Sequence, residues 1–254
     1  MTEFLLCTIY APLASWGEIA VGEVRGSWDR PSRSAVLGLV AAALGIDRTD
    51  QEAHDALDRG YGVAVRLDVE GTTLSDYHTA QSVASAAYRG RIPRTRRELL
   101  ASGELQTILS RRAYRQDASA TIALWARADA RWSLDELASA LRTPVFVPYA
   151  GRRANPLGLP LHPVVVAAAT LADALATRPP VPDALAGHMQ RLRWLPAGDR
   201  EVAHDPCVDG VTSGLLPVRR EIRRDAGAHR QRWQFTNRTV EIGLVPGPQS
   251  ETAT

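Results

Sequence analysis

One stretch of this chain cannot enter a hydrophobic core, and it limits the fold more than any other feature. Residues 89–115 hold eight Arg (Arg89, Arg91, Arg94, Arg96, Arg97, Arg111, Arg112, Arg115) against Glu98 and Glu104. Such a segment repels itself unless an anion lies along it. The sequence on either side is suited to a buried sheet. Before it, Val63, Val65, Leu67 and Val69 alternate with Ala64, Arg66 and Asp68 at period two, and after it Ala118–Ala126 is an apolar, β-prone run. The basic segment is therefore expected to project as an arm from between two neighbouring antiparallel strands.

The other elements follow from their punctuation. Phe4–Tyr10 reads as a buried strand, and residues 11–31 as irregular chain broken by Pro12, Gly17, Gly22, Gly26 and Pro31. Ser32 is the expected N-cap of a helix whose stripe is Val36, Leu37, Leu39, Val40, Ala43 and Leu44, with Gly45 as its stop. Gln51–Leu57 has a weaker helical pattern. Ser133-Leu134-Asp135-Glu136 matches a capping box, and Pro144 ends the helix it opens. Val164–Ala169 is a fourth strand. The order is βαββαβ, the plan of ferredoxin-like (RRM-like) α+β domains.

This gives residues 1–74 and 118–170 as a ferredoxin-like domain and 75–117 as an inserted basic thumb. Residues 171–245 form a smaller β-rich C-terminal region, and 246–254 a frayed tail. Pro179, Pro180 and Pro182 suggest a linker, and Arg219, Arg220, Arg223, Arg224, Arg230 and Arg232 a second basic cluster.

Composition excludes several chemistries. All 30 basic residues are Arg, so Schiff-base chemistry, a P-loop lysine and a lysine general base are ruled out. Cys7 and Cys207 make no disulfide framework and no metal spacing. No secretory signal and no run of 18 apolar residues is present, so a cytoplasmic protein without membrane contact is expected.

The candidate sites each have a competing structural explanation. The arm's Arg are suited to phosphate forks and stacking, and Tyr88 and Tyr114 interleave with them, as in single-strand binders. A solvated charged face is the alternative. At Pro31-Ser32-Arg33-Ser34, backbone N–H groups, two hydroxyls and an Arg converge on a positive helix end, where phosphates bind. An ordinary N-cap accounts for the same residues. Asp76-Tyr77-His78-Thr79 has acid–base residues without a nucleophile, and reads equally as a turn. His204-Asp205-Pro206-Cys207 offers two metal ligands, too few for a site. No cofactor motif is present.

Several unlinked segments together resemble one family. They are Pro12…Trp16-Gly17, Pro31-Ser32-Arg33-Ser34-Ala35-Val36-Leu37-Gly38-Leu39, Leu44-Gly45-Ile46, Asp76-Tyr77-His78-Thr79, Arg112-Ala113-Tyr114…Asp117-Ala118 and Pro148-Tyr149-Ala150-Gly151-Arg152-Arg153…Pro156-Leu157. In order and spacing they are similar to CasD, the fifth CRISPR-associated protein family in its type I-E form, a subunit of the Cascade complex in the RAMP superfamily.

The resemblance implies a non-catalytic subunit that holds the 5′ handle of a CRISPR RNA. It would lie beside the Cascade backbone subunits and the large PAM-reading subunit, and meet target DNA only through the complex. It implies RNA contacts from Arg111, Arg112 and Arg115, from Ser32, Arg33 and Ser34, and from Arg152 and Arg153. Trp16, Tyr77 and His78 would shape the channel, and Arg25, Arg89 and Arg91 complete the set.

Two other functions are compatible with the same residues. One is a metal-independent endoribonuclease with Tyr77 and His78 as acid and base. The other is an assembly module whose Arg arm meets acidic proteins.

Overall fold

The computed structural model describes residues 1–17, 20, 22–83, 94–101, 105–178, 198–229, 232 and 234–246. Its centre is a mostly antiparallel sheet. β1 (Thr2–Ala14) continues past the C-terminal end of the apolar run because β7 (Leu105–Ala126) pairs with it from Leu5↔Leu124 to Ala14↔Arg115. β5 (Tyr61–Val69) lies on the other side of β7, and β8 (Val164–Ala168) pairs with the start of β1. The short strands β2 (Trp16–Gly17), β3 (Val24–Arg25) and β4 (Ser27–Trp28) occupy the segment expected to be irregular. Their few residues give no periodicity to read.

α1 (Arg33–Leu44) and α4 (Leu134–Arg142) cover one face of the sheet, with Leu5, Cys7, Ile9, Val65, Ile122 and Leu124 beneath them. Both N-caps are those expected. Ser32 Oγ accepts from the Ala35 N–H, and Ser133 and Glu136 form the capping box. Gly45 closes α1 in the left-handed conformation, its N–H returning to the Ala41 and Ala42 carbonyls. α2 (Gln51–Gly60) runs to the start of β5, beyond the predicted end at Leu57.

The other face is covered too, so β5 is buried on both sides. α5 (Leu171–Ala176) packs on Phe4, Leu6, Ala64, Ala123 and Trp125. The period-two alternation sets Ala64, Arg66 and Asp68 on the second face of β5, where Arg66 is 1% and Asp68 0% exposed. They satisfy each other. Arg66 Nε donates to Asp68 Oδ1 (2.6 Å), and its NH2 reaches Thr121 Oγ1 (3.0 Å) and the Arg178 carbonyl (3.1 Å). A charged pair can be buried when its donors and acceptors are filled this way. Burial still outweighs the neighbouring guanidinium and holds the Asp68 carboxyl above its ordinary pKa.

Beyond α5 the same sheet continues. β9 (Arg200–His204) pairs with β5, β11 (Gln234–Val245) with β9, and β10 (Leu216–His229) with β11. The order is β10-β11-β9-β5-β7-β1-β8. Glu201 ties this extension to the centre, accepting from Arg219 NH1 (2.8 Å) and Arg30 NH2 (2.6 Å). The hydrogen bond from Arg219, aided by Arg30, lowers the Glu201 pKa to about 2. A carboxylate with a depressed folded pKa contributes stability above its unfolded value, about 4.3, and loses it as pH falls towards the folded one. Glu201→Gln is therefore expected to lower the Tm at pH 7 and to flatten its decline between about pH 5 and pH 2, as read by thermal melts across pH.

Of the predicted linker at 178–186 only Arg178, and of the predicted tail at 246–254 only Pro246, are among the described residues. Among the described residues no helix is long and apolar enough to cross a membrane.

Candidate nucleic-acid interface

The arm is a β-ribbon. β6 (Thr72–Val83) pairs with the first half of β7 without a break, from Thr72↔Gln116 to Val83↔Leu105. β7 therefore begins thirteen residues before the predicted third strand. Its second half, paired with β1 and β5, is buried; its first half is exposed towards its start and half-buried from Arg112 to Asp117, with Ser110 buried. Cross-strand backbone bonds hold the first half, and because it needs no buried face it shows no apolar alternation. The chain turns into β6 at Gly71 (φ 73°), where a Cβ would stand 2.3 Å from the Gln116 carbonyl oxygen. α3 (Arg96–Ala101) lies in the connection between the two strands.

The ladder assigns each candidate to a face, because directly paired residues project together. One face carries His78 opposite Ser110, Asp76 opposite Arg112 and Leu74 opposite Tyr114; the other carries Tyr77 opposite Arg111 and Thr73 opposite Arg115. β3 joins β7 in parallel and sets Arg25 beside Arg112 and Val24 beside Arg111, with the Arg111 N–H donating to the Glu23 carbonyl (2.9 Å). Residues far apart in sequence thus bring Arg25 on β3 beside Arg112 on β7, with Arg111 on the opposite face of the same short stretch. None of the three has a carboxylate at ion-pair distance among the described residues. Arg112 Nε donates to Ser110 Oγ (3.1 Å).

The Gly151-Arg152-Arg153 turn reaches the base of the ribbon. The Ser15 N–H donates to the Ala150 carbonyl (3.1 Å), and Ser15 Oγ to the Ala113 carbonyl (3.3 Å). Arg152 lies 4.6 Å over the Tyr114 ring, and Arg153 is exposed. Tyr114 is therefore a stacking partner of Arg152 rather than an open platform. Arg115 is held by Glu70 (2.8 Å). Trp16 is 3% exposed and paired with Trp28, so it supports the base of the ribbon from inside. Tyr77 is 62% exposed. Asp76, read as a turn former, lies within β6 instead, with its Oδ2 3.8 Å from His78 Nδ1. Arg89, Arg91 and Tyr88 lie outside the described residues.

The start of α1 departs from the expected phosphate site. The Arg33 backbone N–H already donates to Asp225 Oδ2 (2.9 Å), so a carboxylate occupies the place a phosphate would take. The Arg33 guanidinium is 5% exposed, and donates to Asp205 Oδ2 (2.9 Å), the Tyr61 carbonyl (3.0 Å) and Asp58. Burial opposes its charge, but Asp205 and Asp58 outweigh that and raise its pKa above the ordinary value. Ser32 and Ser34 share a hydroxyl–hydroxyl contact (3.1 Å) beside this cap. Arg33 is thus a positioning residue that joins α1 to the C-terminal strands.

Comparison with known proteins shows the family. The model of the family described as CRISPR-associated protein (Cas_Cas5) matches residues 4–241. The chain belongs to the Cas5 family. It is 37% identical over 169 residues to the CRISPR system Cascade subunit CasD of Escherichia coli (strain K12), covering 63% of this chain and 70% of that protein. A chain of a solved CRISPR RNA-guided surveillance complex superposes with a TM-score of 0.57 at 25% identity, over 96% of this chain and 89% of that one. A crystal structure of a Cas protein shares the fold, with a TM-score of 0.56 at 21% identity over 96% and 95%.

In this Cas5 chain the residues missed by sequence reasoning are those that fix the frame. Asp205 is 3% exposed and accepts from Arg33, the Val63 N–H (3.1 Å), Arg127 (3.2 Å) and Arg238 (2.7 Å). Asp225 accepts from Arg238 as well as from Arg33. The sequence flags Asp205 only as a neighbour of His204 and Cys207, and its true partners come from four distant segments. Among the described residues no group of three His, Cys, Asp or Glu forms a metal site.

Proposed function

We propose that this chain is a subunit of a type I-E Cascade surveillance complex that binds the 5′ handle of the CRISPR RNA and caps one end of the backbone. In this reading the core is a ferredoxin-like βαββαβ domain, supported by the order β5-β7-β1-β8 and by α1 and α4 on one face. The β6–β7 ribbon is the thumb. It lies over the guide beside the first backbone subunit, with the large PAM-reading subunit nearby, in a cytoplasmic particle.

The observation that carries the reading is a ribbon with guanidiniums on both faces, Arg25 beside Arg112 on one and Arg111 on the other, none with a carboxylate partner among the described residues. Arg–phosphate contacts supply affinity, and splayed handle bases supply specificity. Arg153 extends the track at the base.

The subunit is non-catalytic in this reading. Tyr77 and His78 are neighbours on β6 and project to opposite faces, so they cannot act as acid and base on one phosphate. Incubation with repeat RNA in EDTA is expected to leave the RNA intact; specific cleavage lost in His78→Ala would make the chain a ribonuclease.

Binding is tested by salt titration on handle RNA. Four phosphates neutralised by Arg25, Arg111, Arg112 and Arg153 give a log–log slope of about −2.8, at ~−0.7 per phosphate of a single strand. Arg112→Ala is expected to flatten the slope by about 0.7. An unchanged slope removes Arg112 from the track.

A further inference from the structure

Four Arg of the second basic cluster, Arg219, Arg220, Arg223 and Arg224, lie outside the ribbon. Their strand, β10, is the outermost of the sheet, paired with β11 on one side and with no described strand on the other. Its side chains alternate. Arg223 turns inward over Trp28 (4.7 Å), and Asp225 inward to Arg33 and Arg238. Val218, Arg220, Ile222 and Arg224 are exposed, Ile222 to 76%. Arg220 meets Glu241 at 3.0 Å, whereas Arg224 donates only to the Phe235 carbonyl (2.9 Å) and has no carboxylate partner among the described residues. A cavity of about 350 Å³, lined by Leu215, Pro217, Val218, Arg220 and Glu241 among others, opens at the start of the strand.

Two properties of this edge select its ligand. A row of unpaired backbone groups is matched by another extended chain, which adds to the sheet as a strand. Ile222 and Val218, set between and beside the guanidiniums, offer nothing to a phosphate and no ring to a base, but they match apolar side chains at period two. Pro217 and the register shifts at 217–219 and 223–226 confine regular pairing to a short run, which disfavours open-ended self-assembly.

We propose that the β10 edge receives an extended segment of a partner protein whose side chains alternate between acidic and apolar. Acids lie opposite Arg220 and Arg224, and an apolar residue opposite Ile222. The assignment is independent of RNA binding at the ribbon.

The test uses the full chain and two labelled peptides, one alternating Glu and Val, the other Lys and Val. Fluorescence anisotropy is expected to show saturable binding of the Glu–Val peptide, with slower amide exchange along β10. Arg220→Glu with Arg224→Glu is expected to weaken that binding by about tenfold or more and to gain the Lys–Val peptide, as two reversed cross-strand pairs should. Ile222→Asp loses both peptides. Ile222→Asp and Arg224→Glu change exposed side chains without ion pairs among the described residues and should melt as the parent does, whereas Arg220→Glu faces Glu241 across the ladder and should lower the Tm by a few degrees, so Arg224→Glu alone is the folded control. Absence of Glu–Val binding, or failure of the charge reversal to exchange the peptides, overturns the proposal. So does a single-stranded RNA that binds with the same dependence on Arg220 and Arg224, or a dimer in sedimentation that Ile222→Asp dissolves.

Discussion

Replacing Arg25, Arg111 and Arg112 together by Ala is expected to remove handle-RNA binding while leaving the protein folded. Two of the three side chains are exposed, Arg112 is half-buried, and none has an ion pair among the described residues. Removing surface charges of this kind changes stability by about 0.5 kcal/mol or less each, so the Tm should move by only about 2–4 °C. Each lost phosphate contact costs about 1 kcal/mol or more of affinity, which together is roughly a hundredfold at moderate salt. The salt slope should fall by about 2, since ~0.7 is lost per phosphate. Filter binding across a salt series reads both quantities. The matched control is Arg219→Ala, which disturbs a pair with Glu201 and Glu221 on a different strand. It should leave the slope unchanged, and a loss equal to that of the triple variant would mean that nonspecific positive charge, not the ladder, binds the RNA.

Asp205→Ala is expected to cause the largest loss of stability of any single substitution considered. Asp205 is almost fully buried and faces three guanidiniums, those of Arg33, Arg127 and Arg238. Without it, buried positive charge and several N–H groups lose their acceptor. Breaking a buried ion pair from one side costs about 3–5 kcal/mol, or roughly 10 °C in Tm for a domain of this size. Asp205→Asn preserves the volume but not the charge, and should recover less than half of the loss. Because the network joins α1 to β11 and β5, amide exchange in the Asp205→Ala variant should accelerate first at the start of α1 and along β10 and β11. Calorimetry showing a change within about 2 °C would mean that the network is not what holds these strands.

The contrast between the two sites explains what was readable in sequence. The core strands and the caps of α1 and α4 rest on local signals: Ser32, Gly45 and the Ser133–Glu136 box each act within a turn of where they stand. The arm was visible as unbalanced charge, but its strands were not, because β6 and the first half of β7 are held by backbone pairing, and neither face is packed into a core that would impose apolar alternation. The burial of Arg66 and Asp68 was not legible, since nothing in their own segment announces α5 as the lid. Arg33 shows the limit most clearly. Its motif has all the parts of a phosphate site, and what fills the site is Asp225, from the far end of the chain. Arg25 and Arg112 were legible as charges, and their adjacency came only from the parallel pairing of β3.

The most direct measurement is an electron cryomicroscopy map of this chain assembled on a guide RNA with its partner subunits. The account predicts ribonucleotide phosphates at roughly 3 Å from the guanidiniums of Arg25, Arg111 and Arg112, the spacing of charge-assisted hydrogen bonds. A map in which the β6–β7 ribbon meets only protein or solvent would contradict it.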